Sequence, residues 1–148
     1  MSENLYRQDF YAWTQQQAAL LQAEELEQLD LPNLIEEIEA MGASQRNELT
    51  NRLKVLLMHL LKWRYQPQRN KGSSWRKTIQ TQRFAITDLL EDNPSLRREL
   101  PAAFAKAYPR ARRDAAQETG LSAVTFPAIC PWLVEQILDE EWFPSSGQ

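Results

Sequence analysis

Residues 44 to 67 read SQRNELTNRLKVLLMHLLKWRYQP. Leu49, Leu53, Leu56, Leu57, Leu60 and Leu61 recur at intervals of three and four, the period of a helix that keeps one face apolar. Ser44 is placed to cap that helix. Pro67 ends it, because the residue before a proline is pushed out of the α region. From Val55 to Leu61 the pattern is apolar nearly all round and broken only by His59, which predicts a central helix contacted on several sides. The same run is far shorter than the ~20 residues that cross a bilayer, so no membrane-spanning role is expected.

Working outward, the other apolar residues also recur at three and four, and nothing reads as a strand. Asp9 is placed to cap a first helix carrying Phe10, Trp13, Leu20 and Leu21. A second helix begins between Asp30 and Asn33, with Pro32 in its first turn, carries the stripe Leu34, Ile35, Ile38 and Met41, and is predicted to end near Gly42. Gln66 to Ser74 reads as an exposed loop, after which Ser73 or Ser74 opens a helix with Trp75, Ile79, Ile86 and Leu90, closed by Asn93-Pro94. Phe104, Tyr108, Ala111 and Ala115 share one side of the next helix. Pro109 is expected to start a helix rather than to lie inside one, since an interior proline costs roughly 3 kcal/mol. Gly120 suits a C′ position, and Pro131 is predicted to start a last helix with Leu133, Ile137 and Leu138. The fold class is therefore all-α: a single-domain multi-helix bundle over 1–148, of about six to seven helices, with a long central helix near 44–65. Residues 1–8 and 145–148 are expected to fray.

Charge is sorted along the chain beneath a net value of −3. Arg52, Lys54, Lys62, Arg64, Arg69, Lys71, Arg76, Lys77 and Arg83 lie between positions 49 and 87 with no acid among them. Up to Glu48 there are ten acids against Arg7 and Arg46, and after Arg113 six acids and no base. Either helices of opposite sign lie against each other, or a basic face awaits an anionic partner. The lone Cys130 cannot form an intrachain disulfide, and no basic-then-apolar leader pattern is present, so a cytoplasmic setting is expected.

The strings DFYAWTQQQAALL, LDLPNLIEEIEAMG, LLMHLLKWRYQP, SSW and NPSLRREL, with ETGL, FP and CPW following in order, resemble the mainly cyanobacterial family called domain of unknown function twenty-nine, over about positions 6 to 143. The resemblance implies a small all-helical fold. It implies no activity and carries over no catalytic residue. Pro109 departs from the family pattern, where an ordinary helix former is usual.

Four constellations could carry chemistry. His59, the only histidine, invites a reading as acid–base or metal group, but a buried imidazole satisfied by Glu37, Glu39 or a tyrosine hydroxyl is the plainer reading, with His59, Glu37 and Glu39 as a structural polar core. Metal sites in helical bundles use paired Glu-x-x-His units. Here Leu56 stands three before His59, so neither a metal nor a cofactor is expected. Cys130, before a predicted helix start, could be an activated thiol, and with His59 the pair of a small hydrolase; its neighbours Ile129, Pro131 and Trp132 favour an inert packed thiol. Glu36, Glu37 and Glu39 are expected to pair with Arg52 or Lys54. Finally, cations alternate with aromatics from Lys62 to Lys77, which suits a nucleic-acid contact through Arg64, Arg69, Lys71, Arg76 and Lys77, although Trp63 and Trp75 fit a core equally. With no phosphate loop or nucleophile elbow, the leading expectation is a non-enzymatic interaction protein that binds another protein or itself. A nucleic-acid-associated, antitoxin-like regulator and the Cys/His hydrolase are the alternatives.

Overall fold

The computed structural model describes residues 2–70 and 74–145, and the side chains of residues 5–70 and 74–145. Among them there is no strand. Six α-helices follow in order: α1 Ser2–Gln8, α2 Phe10–Gln22, α3 Leu31–Tyr65, α4 Trp75–Asp92, α5 Leu100–Thr119 and α6 Val134–Leu138, with short 3-10 turns at Leu26–Gln28, Pro67–Arg69, Pro94–Glu99 and Ala123–Thr125. The all-α class and the long helix are as read from sequence. The chain falls into two compact units, Met1–Ser44 and Gln45–Gln148.

Several boundaries differ from expectation, each for a physical reason. Residues 2–8 form α1, whose Tyr6 donates to Glu37 Oε1 at 2.5 Å, and residues 146–148 of the other segment expected to fray lie outside the described residues. The helix expected to end at Gly42 and the one expected to start at Ser44 are a single helix, α3, 35 residues long. Gly42 has no positive φ, so it makes no left-handed cap, and an interior glycine costs only about 1 kcal/mol. Pro109 lies inside α5. Its missing N–H leaves the carbonyl of Ala105 without a helical partner, but Ala105 and Pro109 are both exposed, so water can satisfy it. Pro131 precedes α6 without starting it; the helix begins at Val134.

In the first unit, Asp9 caps α2 by accepting from the Ala12 N–H at 3.0 Å. Trp13 is buried, 2% exposed, and Tyr6, Phe10 and Trp13 form an aromatic cluster with centroids 4.8 to 5.6 Å apart. Asp30 ties the unit together at the start of α3. Its Oδ2 accepts from Trp13 Nε1 at 2.9 Å and Asn33 Nδ2 at 2.8 Å, while its own N–H donates to Gln17 Oε1 at 2.8 Å. The Asn33 amide, aided by the Trp13 indole, holds the Asp30 carboxyl below its usual range against its own desolvation. α2 ends in a Schellman motif: Glu24 N–H donates to Leu21 O at 3.1 Å and Glu25 N–H to Leu20 O at 2.9 Å. The left-handed position is Glu24, at φ 59°, where glycine would be unstrained.

In the second unit, the buried run of α3 from Leu49 to Leu61 packs with Ile79, Ile86 and Leu90 of α4. Ala103, Ala107, Ala111 and Ala115 of α5 are buried at four-residue spacing, a smooth stripe that lets a neighbouring helix approach closely. Tyr108 donates to Pro127 O at 2.6 Å and Arg112 Nε to Phe126 O at 3.0 Å, so α5 fixes the irregular segment after it. Gly120, at φ 76°, closes α5 in the left-handed region as its position suggested.

Candidate functional site

The described cations of the middle segment sit in several settings. Arg52 donates from Nε to Glu48 at 2.9 Å and from Nη1 to Gln82 at 3.2 Å, and Lys54 pairs with Asp114 at 3.6 Å, so both have partners other than the Glu36 to Glu39 cluster. Lys62 is only 7% exposed and donates to Glu118 Oε1 at 2.6 Å, 5.7 Å above the Trp75 ring. Arg64 lies 4.6 Å from the ring of Tyr65, and Arg76 4.6 Å from that of Phe143. Arg69 and Lys77 are exposed. Lys71, with Ser73, lies outside the described residues. Trp63 packs against Phe143 at 4.7 Å, and Tyr65 against Phe126 at 5.4 Å. These rings meet the interior and cations of the same chain, where a stacking platform would need bare faces.

Arg83 is the residue that sequence reasoning missed. It is fully buried, and its guanidinium donates from Nε to Ile137 O at 2.7 Å, from Nη2 to Trp142 O at 2.7 Å, and from Nη1 to Glu140 O and Gln80 Oε1, each at 3.3 Å. The Phe143 ring lies 5.1 Å away. Burial lowers the Arg83 pKa to about 10, and Asp139 and Glu140 oppose that shift, so the side chain stays charged at neutral pH. Its work is to satisfy the carbonyl of Ile137 near the end of α6 and those of Glu140 and Trp142 in the segment that follows. The signal was available: Ile79, Arg83, Ile86 and Leu90 share one face of α4, and a charge within an apolar stripe calls for buried acceptors.

The two residues considered for catalysis, His59 and Cys130, are each partly buried. His59 is half-buried, with Nδ1 2.8 Å from Val55 O, four residues back in its own helix. Its partner is thus a helix carbonyl, whereas Glu37 accepts from Tyr6 and Glu39 is exposed. Burial pushes the imidazole pKa down, opposed by the bond to Val55. Burial pushes the Cys130 thiol up to about 11, with only the Trp132 backbone N–H acting against it. An activated thiol is shifted the other way. Since α6 starts at Val134, Cys130 has no helix N-terminus beside it either. Among the described residues no three His, Cys, Asp or Glu side chains are grouped to hold a metal, and no helix is long and apolar enough to cross a membrane.

The first unit carries the open feature. Leu31, Ile35, Ile38 and Met41 are 54%, 55%, 65% and 67% exposed. At 100° per residue these four fall within one stripe of α3. Sequence periodicity marks such a stripe as core, yet here the flank carrying Asn33, Leu34 and Glu37 is the one turned inward: Asn33 reaches Asp30, Glu37 reaches Tyr6, and Leu34 is half-buried. Phe10, Leu21 and Leu26 of the same unit are also about half exposed. Glu39 is exposed beside the stripe, Glu36 is exposed on the face turned almost directly away from it, and neither lysine nor arginine occurs from Glu24 to Ser44.

Such a molecule belongs to a recognisable class: an all-helical protein whose buried polar groups hold its own helices and whose first unit presents an uncovered apolar face. The chain is a member of the family described as Domain of unknown function DUF29, whose model matches residues 5–143. No curated protein and no solved structure matches.

Proposed function

We propose that this chain is a non-enzymatic interaction protein that acts through protein–protein contact, and that the contact is made by the α3 stripe of the first unit. The supporting observation is the exposure of Leu31, Ile35, Ile38 and Met41 at helical spacing. Scattered exposed apolar residues need no explanation, but a row of four on one helix face forms an adhesive strip. Covering the exposed half of each side chain contributes about 1–1.5 kcal/mol, or roughly 4–6 kcal/mol for the four. Association costs at least about 4 kcal/mol, so a durable partner must also gain contacts beyond the strip. The neighbouring carboxylates and half-exposed Phe10, Leu21 and Leu26 can provide them.

The reading is tested by replacing Ile38 with a photocrosslinking phenylalanine analogue in the native host. Discrete protein adducts that disappear when Ile35→Ser is added are expected. Irradiation that yields no adduct, or the same adducts as an analogue placed at exposed Lys77, would reject the strip as a contact surface.

A further inference from the structure

We infer that the α3 strip receives a basic amphipathic helix of another protein. This rests on the strip being a contact surface and adds the chemistry of what covers it. Leu31, Ile35, Ile38 and Met41 follow the i, i+4, i+7, i+10 spacing of a helix ridge and extend over about 15 Å, some three turns. A ridge of that spacing fits the groove between side-chain rows of a second helix, where an apolar face read at i, i+3, i+4 and i+7 meets it.

Charge selects among possible occupants. Residues 1–44 contain Glu3, Asp9, Glu24, Glu25, Glu27, Asp30, Glu36, Glu37 and Glu39 against the single base Arg7. Glu37 is engaged by Tyr6 and Asp30 by Trp13 and Asn33, but Glu39 stands exposed beside the strip, and Glu36 on the opposite face of α3 and Glu24, Glu25 and Glu27 at the end of α2 and just after it add exposed negative charge to the same unit. A second copy docking strip to strip would bring the same acids back against themselves. Like charges brought together at an interface oppose association, and more so where water is excluded. Nucleic acid and anionic lipid carry the wrong sign. A helix with an apolar stripe flanked by lysine or arginine satisfies both the ridge and its rim.

Fluorescence anisotropy of the full chain with a labelled 18-residue helical peptide, leucines at i, i+3, i+4 and i+7 and lysines elsewhere, tests this. A matched peptide with glutamate for lysine is the control. The lysine peptide should bind at least tenfold tighter than the glutamate peptide. Ile35→Ser with Ile38→Ser should weaken it at least tenfold, and Glu39→Gln about twofold, more than Glu36→Gln on the opposite face, with circular dichroism confirming unchanged helix content. Equal binding of the two peptides, or lysine-peptide binding indifferent to the serine pair, overturns the inference. So does a chain that sediments as a dimer and becomes a monomer on the serine substitutions, because the strip is then covered by a second copy. Crosslinked protein adducts at Ile38 without preference for the lysine peptide would sink the basic helix while leaving protein contact in place; silence in both assays would sink both.

Discussion

Replacing Arg83 by methionine should loosen the end of the chain and cost the second unit about 3 kcal/mol. The side chain makes two 2.7 Å bonds from a charged donor to the carbonyls of Ile137 and Trp142, and a third at 3.3 Å to Glu140. Each buried acceptor left unpaired costs about 1–3 kcal/mol, so the two short bonds alone put about 2–6 kcal/mol at stake. Methionine recovers part of that by adding apolar burial and by sparing the desolvation of a charge. Buried ion pairs are sometimes exchanged for apolar groups with a gain in stability, but only when both partners are replaced. Here the acceptors are main-chain carbonyls and remain. For a chain of this size, about 3 kcal/mol corresponds to a fall in Tm of roughly 6–12 °C. Urea unfolding followed by tryptophan fluorescence should register it, because Trp142 lies in the clamped segment and packs 5.6 Å from Trp132. Arg83→Lys should lose most of the same stability, since one ammonium cannot reproduce the fork that spans these carbonyls. A methionine variant within about 0.5 kcal/mol of the parent would refute the view that this guanidinium holds the C-terminal segment, since that is the range of neutral surface changes.

Other outcomes follow from backbone geometry and burial. Gly42→Ala should stabilise α3 by about 0.5–1 kcal/mol in denaturant titration. Its added Cβ meets nothing within 4 Å, whereas Gly120→Ala, at φ 76°, should destabilise; a loss at position 42 would indicate a helix break there. Glu24→Gly should stabilise by about 1 kcal/mol by relieving the left-handed residue of the Schellman motif, and a neutral result would remove the strain assigned to it. His59 is held neutral by burial, so its pKa is lower folded than unfolded. The unfolded chain therefore takes up the proton first, and stability should decline as pH falls below the ordinary histidine value of 6.5. Comparing urea midpoints with those of His59→Gln between pH 7.5 and 5.5 isolates that contribution, and parallel curves would contradict it.

The helices were legible where local chemistry decided them. Asp9 capped α2 as its type and position suggested, and Gly120 took the left-handed end of α5, because an N-cap oxygen and a positive φ are local requirements. Gly42 and Ser44 resembled a stop followed by a start, yet neither is incompatible with a helix interior, and a turn's worth of hydrogen bonds outweighs the cost of one glycine. Pro109 misled for a related reason, since exposure lets water take the carbonyl it leaves open. The candidate surface was hidden by its own regularity: Ile35, Ile38 and Met41 have core spacing, and periodicity identifies an apolar face without saying whether another element covers it. Arg83 could have been singled out only by asking why a charge occupied the stripe of Ile79 and Ile86, and its main-chain acceptors lie 54 to 59 residues away, beyond the reach of local pattern.

The central claim is that the apolar stripe at the start of α3 lies outside the packed core. It is tested most directly by the unfolding free energy of the double variant Ile35→Ser, Ile38→Ser. Two exposed side chains predict a change of no more than about 1 kcal/mol with unchanged helix content. A loss of about 4 kcal/mol or more, the cost of truncating two buried isoleucines, would place the stripe in the core and remove the surface on which the proposed contact depends.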